Sequence, residues 1–138
     1  MASPYEDCIV FLLSKAYQRA HGKLKKRLQP YGLTPPQSLV ILALHEGEGV
    51  SAGELARRLT LDYATLSGLL DRLAEAGWIV KEIADDDRRT LRISLTDKAR
   101  EAAGDLIRAR DGANEEIMEC LRPEERLLLK RMLRDLQA

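Results

Sequence analysis

The chain has 138 residues, of which 45% are hydrophobic, only 4% aromatic and 32% charged, with 22 Lys and Arg balancing 22 Asp and Glu. This length suits one domain with a sizeable core, and the composition is that of a helix-rich soluble protein rather than a polycation. No apolar run nears the ~18 residues of a membrane span, and the start lacks a signal-peptide core, so no membrane partner is expected.

Cys8 and Cys120 stand apart, with no Cys-x-x-Cys or Cys/His cluster, which suits a cytoplasmic location with reduced thiols. From about Tyr5 to Gln29, Ile9, Leu12, Leu13, Ala16, Tyr17, Ala20, Leu24 and Leu28 recur at helical spacing. Lys25, Lys26 and Arg27 suit the C-terminal end of that helix, and Pro30-Tyr31-Gly32 breaks it. Thr34 and Gln37 form a capping box for a second helix, with Pro35 in the first turn and Gly47 and Gly49 ending it.

Val50-Ser51-Ala52-Gly53-Glu54-Leu55 reads as another capping box with its hydrophobic staple. The short helix that follows ends at a tight turn, Thr60-Leu61. Asp62 then caps a helix in which Leu66, Leu69, Leu70 and Leu73 form one apolar face and Gly77 is the terminating glycine. Here the period changes to two. Residues 78–83 and 90–95 read as strands, joined by the charged run Ala84-Asp85-Asp86-Asp87-Arg88-Arg89. Two helices at a sharp turn followed by a charged hairpin make a winged helix-turn-helix, a DNA-reading unit. The alternative is a small α/β scaffold with a merely solvated hairpin.

Thr96 caps a long helix to about Leu121, weakened at Gly104 and Gly112, and Pro123 starts a last one bearing Leu128, Leu129, Met132, Leu133 and Leu136. Three amphipathic helices surround a unit of only about 45 residues. Their apolar stripes are most economically buried against a second copy across a two-fold axis, although the first could also cover its own subunit. A homodimer held by the first, fifth and sixth helices is therefore expected.

Charge speaks against nucleic acid at first sight, because Ser51–Leu95 holds seven Lys and Arg against eight Asp and Glu. The DNA reading requires Arg57, Arg58, Arg72, Arg88 and Arg89 to share a face from which Asp71 and Glu75 point away. No catalytic constellation, phosphate loop or metal-ligand spacing is present, and His21 and His45 lack patterned partners. Neither enzymatic activity nor a metal or cofactor is expected.

Several stretches resemble the multiple-antibiotic-resistance regulator (MarR) family: Leu33-Thr34-Pro35-Pro36-Gln37, Leu55-Ala56-Arg57-Arg58-Leu59, and Asp71-Arg72-Leu73 with Gly77-Trp78-Ile79. Asp87-Arg88-Arg89 through Leu95-Thr96 matches that family's wing signature, Asp-x-Arg-x-x-x-(Leu/Ile)-x-Leu-Thr. The resemblance implies a mainly α fold with a β-hairpin wing, flanking dimerisation helices, and a dimeric regulator of transcription, usually a repressor, bound to a pseudo-palindromic operator in double-stranded DNA.

Tyr63, Thr65, Ser67, Gly68 and Arg72 then belong to the recognition helix, with Ser51 and Thr60 at the two ends of the helix before it. The resemblance further implies that Asp87 orients Arg89 into the minor groove, while Arg88 is expected to bind phosphate or pack on the strand. Where many relatives carry an arginine reaching guanine, this chain has Gly68. The resemblance also implies release from DNA by a small phenolic or otherwise lipophilic effector, for which Tyr17, Ala20, His21 and Leu42 are the expected contacts. One branch of the family senses peroxides through a cysteine. Its position falls on Val10 here, and the tyrosines bonding that thiol fall on Leu24 and Pro35, so Cys8 is expected to be inert or weakly reactive. An interaction module that uses the winged fold to bind protein is the competing class, supported by Asp85, Asp86, Asp87 and the neutral net charge.

Overall fold

The computed structural model describes residues 3–83 and 90–138. Among the described residues, six α-helices and three short strands follow in the order α1 (Ile9–Leu28), α2 (Pro35–Glu46), β1 (Val50–Ser51), α3 (Ala52–Leu59), α4 (Tyr63–Glu75), β2 (Ile79–Ile83), β3 (Leu91–Leu95), α5 (Asp97–Ile117) and α6 (Pro123–Asp135). The fold is mainly helical, with a small antiparallel sheet ordered β1-β3-β2. Leu28, Ile41, Leu44, Leu55, Leu66, Leu73, Ile93 and Leu106 meet in one buried cluster that joins α1, α2 and α5 to the winged unit.

The element boundaries follow local chemistry. α1 begins at Ile9 rather than near Tyr5 because Ser3 and Glu6 bond reciprocally and close a separate turn, after which Cys8 is extended. Its end at Leu28 passes into a 3-10 turn over Gln29–Tyr31, closed by Gly32 at φ 66°, a left-handed conformation that suits glycine. α2 carries the full capping box, with Gln37 N–H donating to Thr34 Oγ1 and Thr34 N–H to Gln37 Oε1. α5 ends at Ile117, short of Leu121. Pro123 forces Arg122 into extended backbone (ψ 156°), so the chain must leave the helix beforehand.

One strand was not legible in the sequence. β1 is only two residues long, Val50 pairing with Ile93 and Ser51 with Arg92. β2 and β3 pair from Ile79 with Leu95 to Ile83 with Leu91. Glu48 locks this sheet to α5. Its carboxylate accepts the Leu95 N–H at 2.9 Å and two bonds from the Arg100 guanidinium at 2.8 and 3.1 Å. The Arg100 bonds are the first cause, and the Leu95 amide a lesser one, of a Glu48 carboxyl held below its ordinary range.

At the other end of α5, Glu116 accepts from both Lys23 and Arg27 of α1, at 2.9 and 2.8 Å. A side chain at Gly112 would collide with the Arg27 guanidinium, so this glycine leaves the passage through which Arg27 reaches Glu116.

Candidate nucleic-acid interface

The helix-turn-helix is built from two caps and one left-handed residue. Ser51 Oγ accepts the Glu54 N–H at 3.1 Å and starts α3. The reciprocal half of the expected capping box is absent, because the Glu54 carboxylate accepts from Arg58 one turn on. Thr60 ends the helix at φ 53°, the only non-glycine positive φ among the described residues. Its N–H donates to Arg57 O and that of Leu61 to Ala56 O, the two bonds of a Schellman motif. A β-branched residue in this region costs roughly 1 kcal/mol or more, and here that strain sits at the corner between the two helices.

Asp62 opens α4. Its Oδ1 accepts the Thr65 N–H and its Oδ2 the Thr65 hydroxyl, both at 2.8 Å. These bonds, the backbone one first, hold the Asp62 carboxyl below its usual range. Leu66, Leu69, Leu70 and Leu73 are buried, which turns the other side of the helix outward. Tyr63, 60% exposed, Thr65 and Arg72 lie on that outer surface, and Ser67 and Gly68 are half-buried. A Cβ built on Gly68 meets nothing within 4 Å, so the glycine is not demanded by packing.

Asp71, a carboxylate on the exposed side of α4, is engaged by Lys81 of β2. That ion pair ties α4 to β2 and offsets one negative charge. It was not anticipated from the sequence, because the register that brings Lys81 to Asp71 is a tertiary property. At the helix end Gly77 adopts φ 81°, and the Thr96 hydroxyl donates to its carbonyl at 2.6 Å while capping α5. Lys98 lies over the buried Trp78 ring, 4.3 Å from its centroid. The tip residues Asp87, Arg88 and Arg89 lie outside the described residues.

Behind the helix-turn-helix is a cavity of about 310 Å³. Tyr17, Ala20 and His21 of α1, Pro36 and Leu39 of α2, and Asn114 and Ile117 of α5 line it, together with Leu59 and Leu61 on either side of Thr60. The Tyr17 and His21 rings are 5.4 Å apart and tilted. Leu42, expected here from the sequence, is not on the wall. It is half-buried and packs against the core instead. Leu59 and Leu61 were overlooked as wall residues, although an apolar residue in the turn after a helical stripe has ended was the available signal. Cys8 and Cys120 are both exposed free thiols.

The model of the MarR family matches residues 31–90, the stretch that carries the helix-turn-helix and most of the wing. The HTH-type transcriptional regulator TtmR of Methylorubrum extorquens is 40% identical over 97 residues, 70% of this chain and 48% of that protein. The chain belongs to the MarR family. It spans about half the length of TtmR.

The MarR fold extends over nearly the whole chain. The transcriptional repressor CouR, solved bound to a 23-mer DNA duplex, superposes with a TM-score of 0.89 at 25% identity, covering 96% of this chain and 94% of that one. BpsR of Bordetella bronchiseptica, whose DNA binding is regulated by 6-hydroxynicotinic acid, gives a TM-score of 0.91 at 23% identity, covering 99% and 98%. These relatives are regulators of transcription rather than enzymes.

Proposed function

We propose that this MarR-family chain is a dimeric regulator of transcription that binds a pseudo-palindromic operator in double-stranded DNA, most simply as a repressor acting in the cytoplasm. The observation that carries the reading is α4 itself, a capped helix held at a strained turn with its polar N-terminal face exposed. A helix-turn-helix presents that end of its second helix to base edges in the major groove. In a two-fold dimer the two α4 helices would meet successive grooves about 34 Å apart, with Arg89 of each wing, oriented by Asp87, reaching the flanking minor groove and Arg88 meeting phosphate. A guanidinium there favours narrow, A·T-rich DNA.

Dimerisation is supported by what the chain leaves uncovered. Ile9, Val10, Leu12, Leu13 and Tyr17 of α1, Leu127, Leu128, Met132 and Leu133 of α6, and Leu136 just past its end are exposed, more apolar surface than scattered single residues account for. The cavity beside the turn supports control by a small lipophilic or phenolic effector, since its wall includes both flanks of Thr60.

Selection of bound fragments from genomic DNA, followed by titration at fixed salt, tests the central reading. An enriched inverted repeat is expected, and failure to enrich any sequence would leave the winged fold as a protein-binding module. A dimeric mass by sedimentation at micromolar concentration is expected as well. A screen of aromatic acids and phenols should raise the melting temperature and weaken operator binding, and an inert screen would remove effector control.

A further inference from the structure

The cap of α4 fixes which way a hydroxyl proton points. A threonine hydroxyl has one proton to donate and two lone pairs, whereas an ionised carboxylate only accepts. Asp62 takes the Thr65 N–H on one oxygen and the Thr65 hydroxyl on the other, so the single proton of Oγ1 is committed to Oδ2. What Thr65 turns to its exposed surroundings is therefore a pair of lone pairs and a methyl group. Redirecting the proton to an outside acceptor would break a charge-assisted bond, one of the stronger kinds available to a side chain.

Thr65 is the third residue of α4, on the end of the helix that reaches base edges in a helix-turn-helix complex. In the major groove the exocyclic amines of adenine (N6) and cytosine (N4) donate, while guanine O6 and N7 and thymine O4 accept. We propose that Thr65 is a specificity-determining residue that accepts from adenine or cytosine on the strand it reaches, and that Asp62 is the positioning residue that imposes this choice. The proposal rests on the DNA-binding reading above and adds to it a chemical sign for one contact.

The experiment is selection from randomised duplexes with the full chain, repeated for Thr65→Val, Thr65→Ser and Asp62→Asn. The parent should enrich adenine or cytosine at one position of each half-site. Thr65→Val, which keeps the shape and loses the hydroxyl, should flatten that position by about tenfold, and Thr65→Ser should retain it. Asparagine at 62 still caps the helix through Oδ1, but its amide can donate to Thr65 Oγ1 and so free the hydroxyl proton. Asp62→Asn should then admit guanine or thymine at the same position.

Melting curves establish that each variant is folded. A Thr65→Val profile that superimposes on the parent's overturns the proposal. So does a Thr65-dependent position that prefers guanine or thymine, or an Asp62→Asn protein that binds every sequence more tightly with no change of base preference. A parent that enriches no sequence overturns the DNA-binding reading itself, which separates the two failures.

Discussion

α4 and α6 are the same length, 13 residues each, and both carry apolar residues at helical spacing, yet their burial is opposite. The α4 stripe of Leu66, Leu69, Leu70 and Leu73 is completely buried within its own chain. α6 has no buried residue, Leu127 being 73% exposed and Leu133 38%, and Leu136, the residue just after the helix, is 64% exposed. Periodicity therefore specifies that a face is apolar and leaves open what covers it. α4 belongs to a unit that closes on itself through α2, α3 and the sheet, whereas α6 has a face that a second copy would complete.

The largest expected effect breaks this contrast or secures it. Leu73→Ala removes a side chain with no exposed surface from the core and should cost about 2–5 kcal/mol, at every protein concentration. Leu133→Ala should lower the unfolding midpoint only through lost association, so its penalty should vanish where the protein is too dilute to associate and grow to a plateau as the protein concentration rises. Urea unfolding at two concentrations a hundredfold apart distinguishes them. A concentration-independent loss of similar size in both variants would mean that α6 is packed within its own subunit.

Next in size is the wing, between β2 and β3. Arg89→Ala should weaken operator binding by about 1–3 kcal/mol per arginine, most on operators with A·T-rich flanks, and Asp87→Ala less, because on the proposed reading it would free the arginine without deleting it. Neither should alter dimerisation or melting temperature. If Arg89→Ala binds like the parent while Tyr63→Ala does not, α4 alone reads the DNA.

The contrast also marks what the sequence could carry. The caps at Ser51, Asp62 and Thr96, the glycine ending α4 and the leucine stripe were all legible, because each is a local arrangement within about four residues. The two-residue strand β1 was not, since it exists only through its pairing with β3 forty residues later. Nor were the Glu48–Arg100 and Asp71–Lys81 pairs, which depend on the sheet having formed. Of the four residues expected at the cavity, Tyr17, Ala20 and His21 share its wall and Leu42 does not. A leucine one position along a nearly all-apolar helix differs from its neighbours only in direction, which composition does not encode.

The Glu48 clamp gives the winged unit a pH signature. Its folded carboxyl titrates below the ordinary value of 4.5, so the stabilisation it supplies is fully present above that value. It is lost as the pH falls through the lower folded value. Melting temperature should therefore hold from neutrality to about pH 5 and decline below it. Glu48→Gln should flatten part of that decline. An unchanged slope would show that the sheet and α5 are held together by their apolar contacts alone.

The smallest effect is at Gly68, where two consequences of one methyl group should have opposite signs. A glycine inside a helix is less stable than alanine by roughly 0.5–1 kcal/mol, because it loses more backbone freedom on folding. The Cβ of alanine would meet no atom within 4 Å, so nothing in the free protein opposes the gain. Gly68→Ala should accordingly raise the unfolding free energy by about that amount. Gly68 lies one turn along from Thr65, where on the proposed reading a bare backbone would let base edges approach closely. An added methyl occupies that space, so the stabilised variant should bind its operator more weakly. Urea unfolding and operator titration on the same preparation give both signs. Increased stability with unchanged affinity would show that the DNA does not come close to the α4 backbone at this position, and that Thr65 and Arg72 span the groove without it.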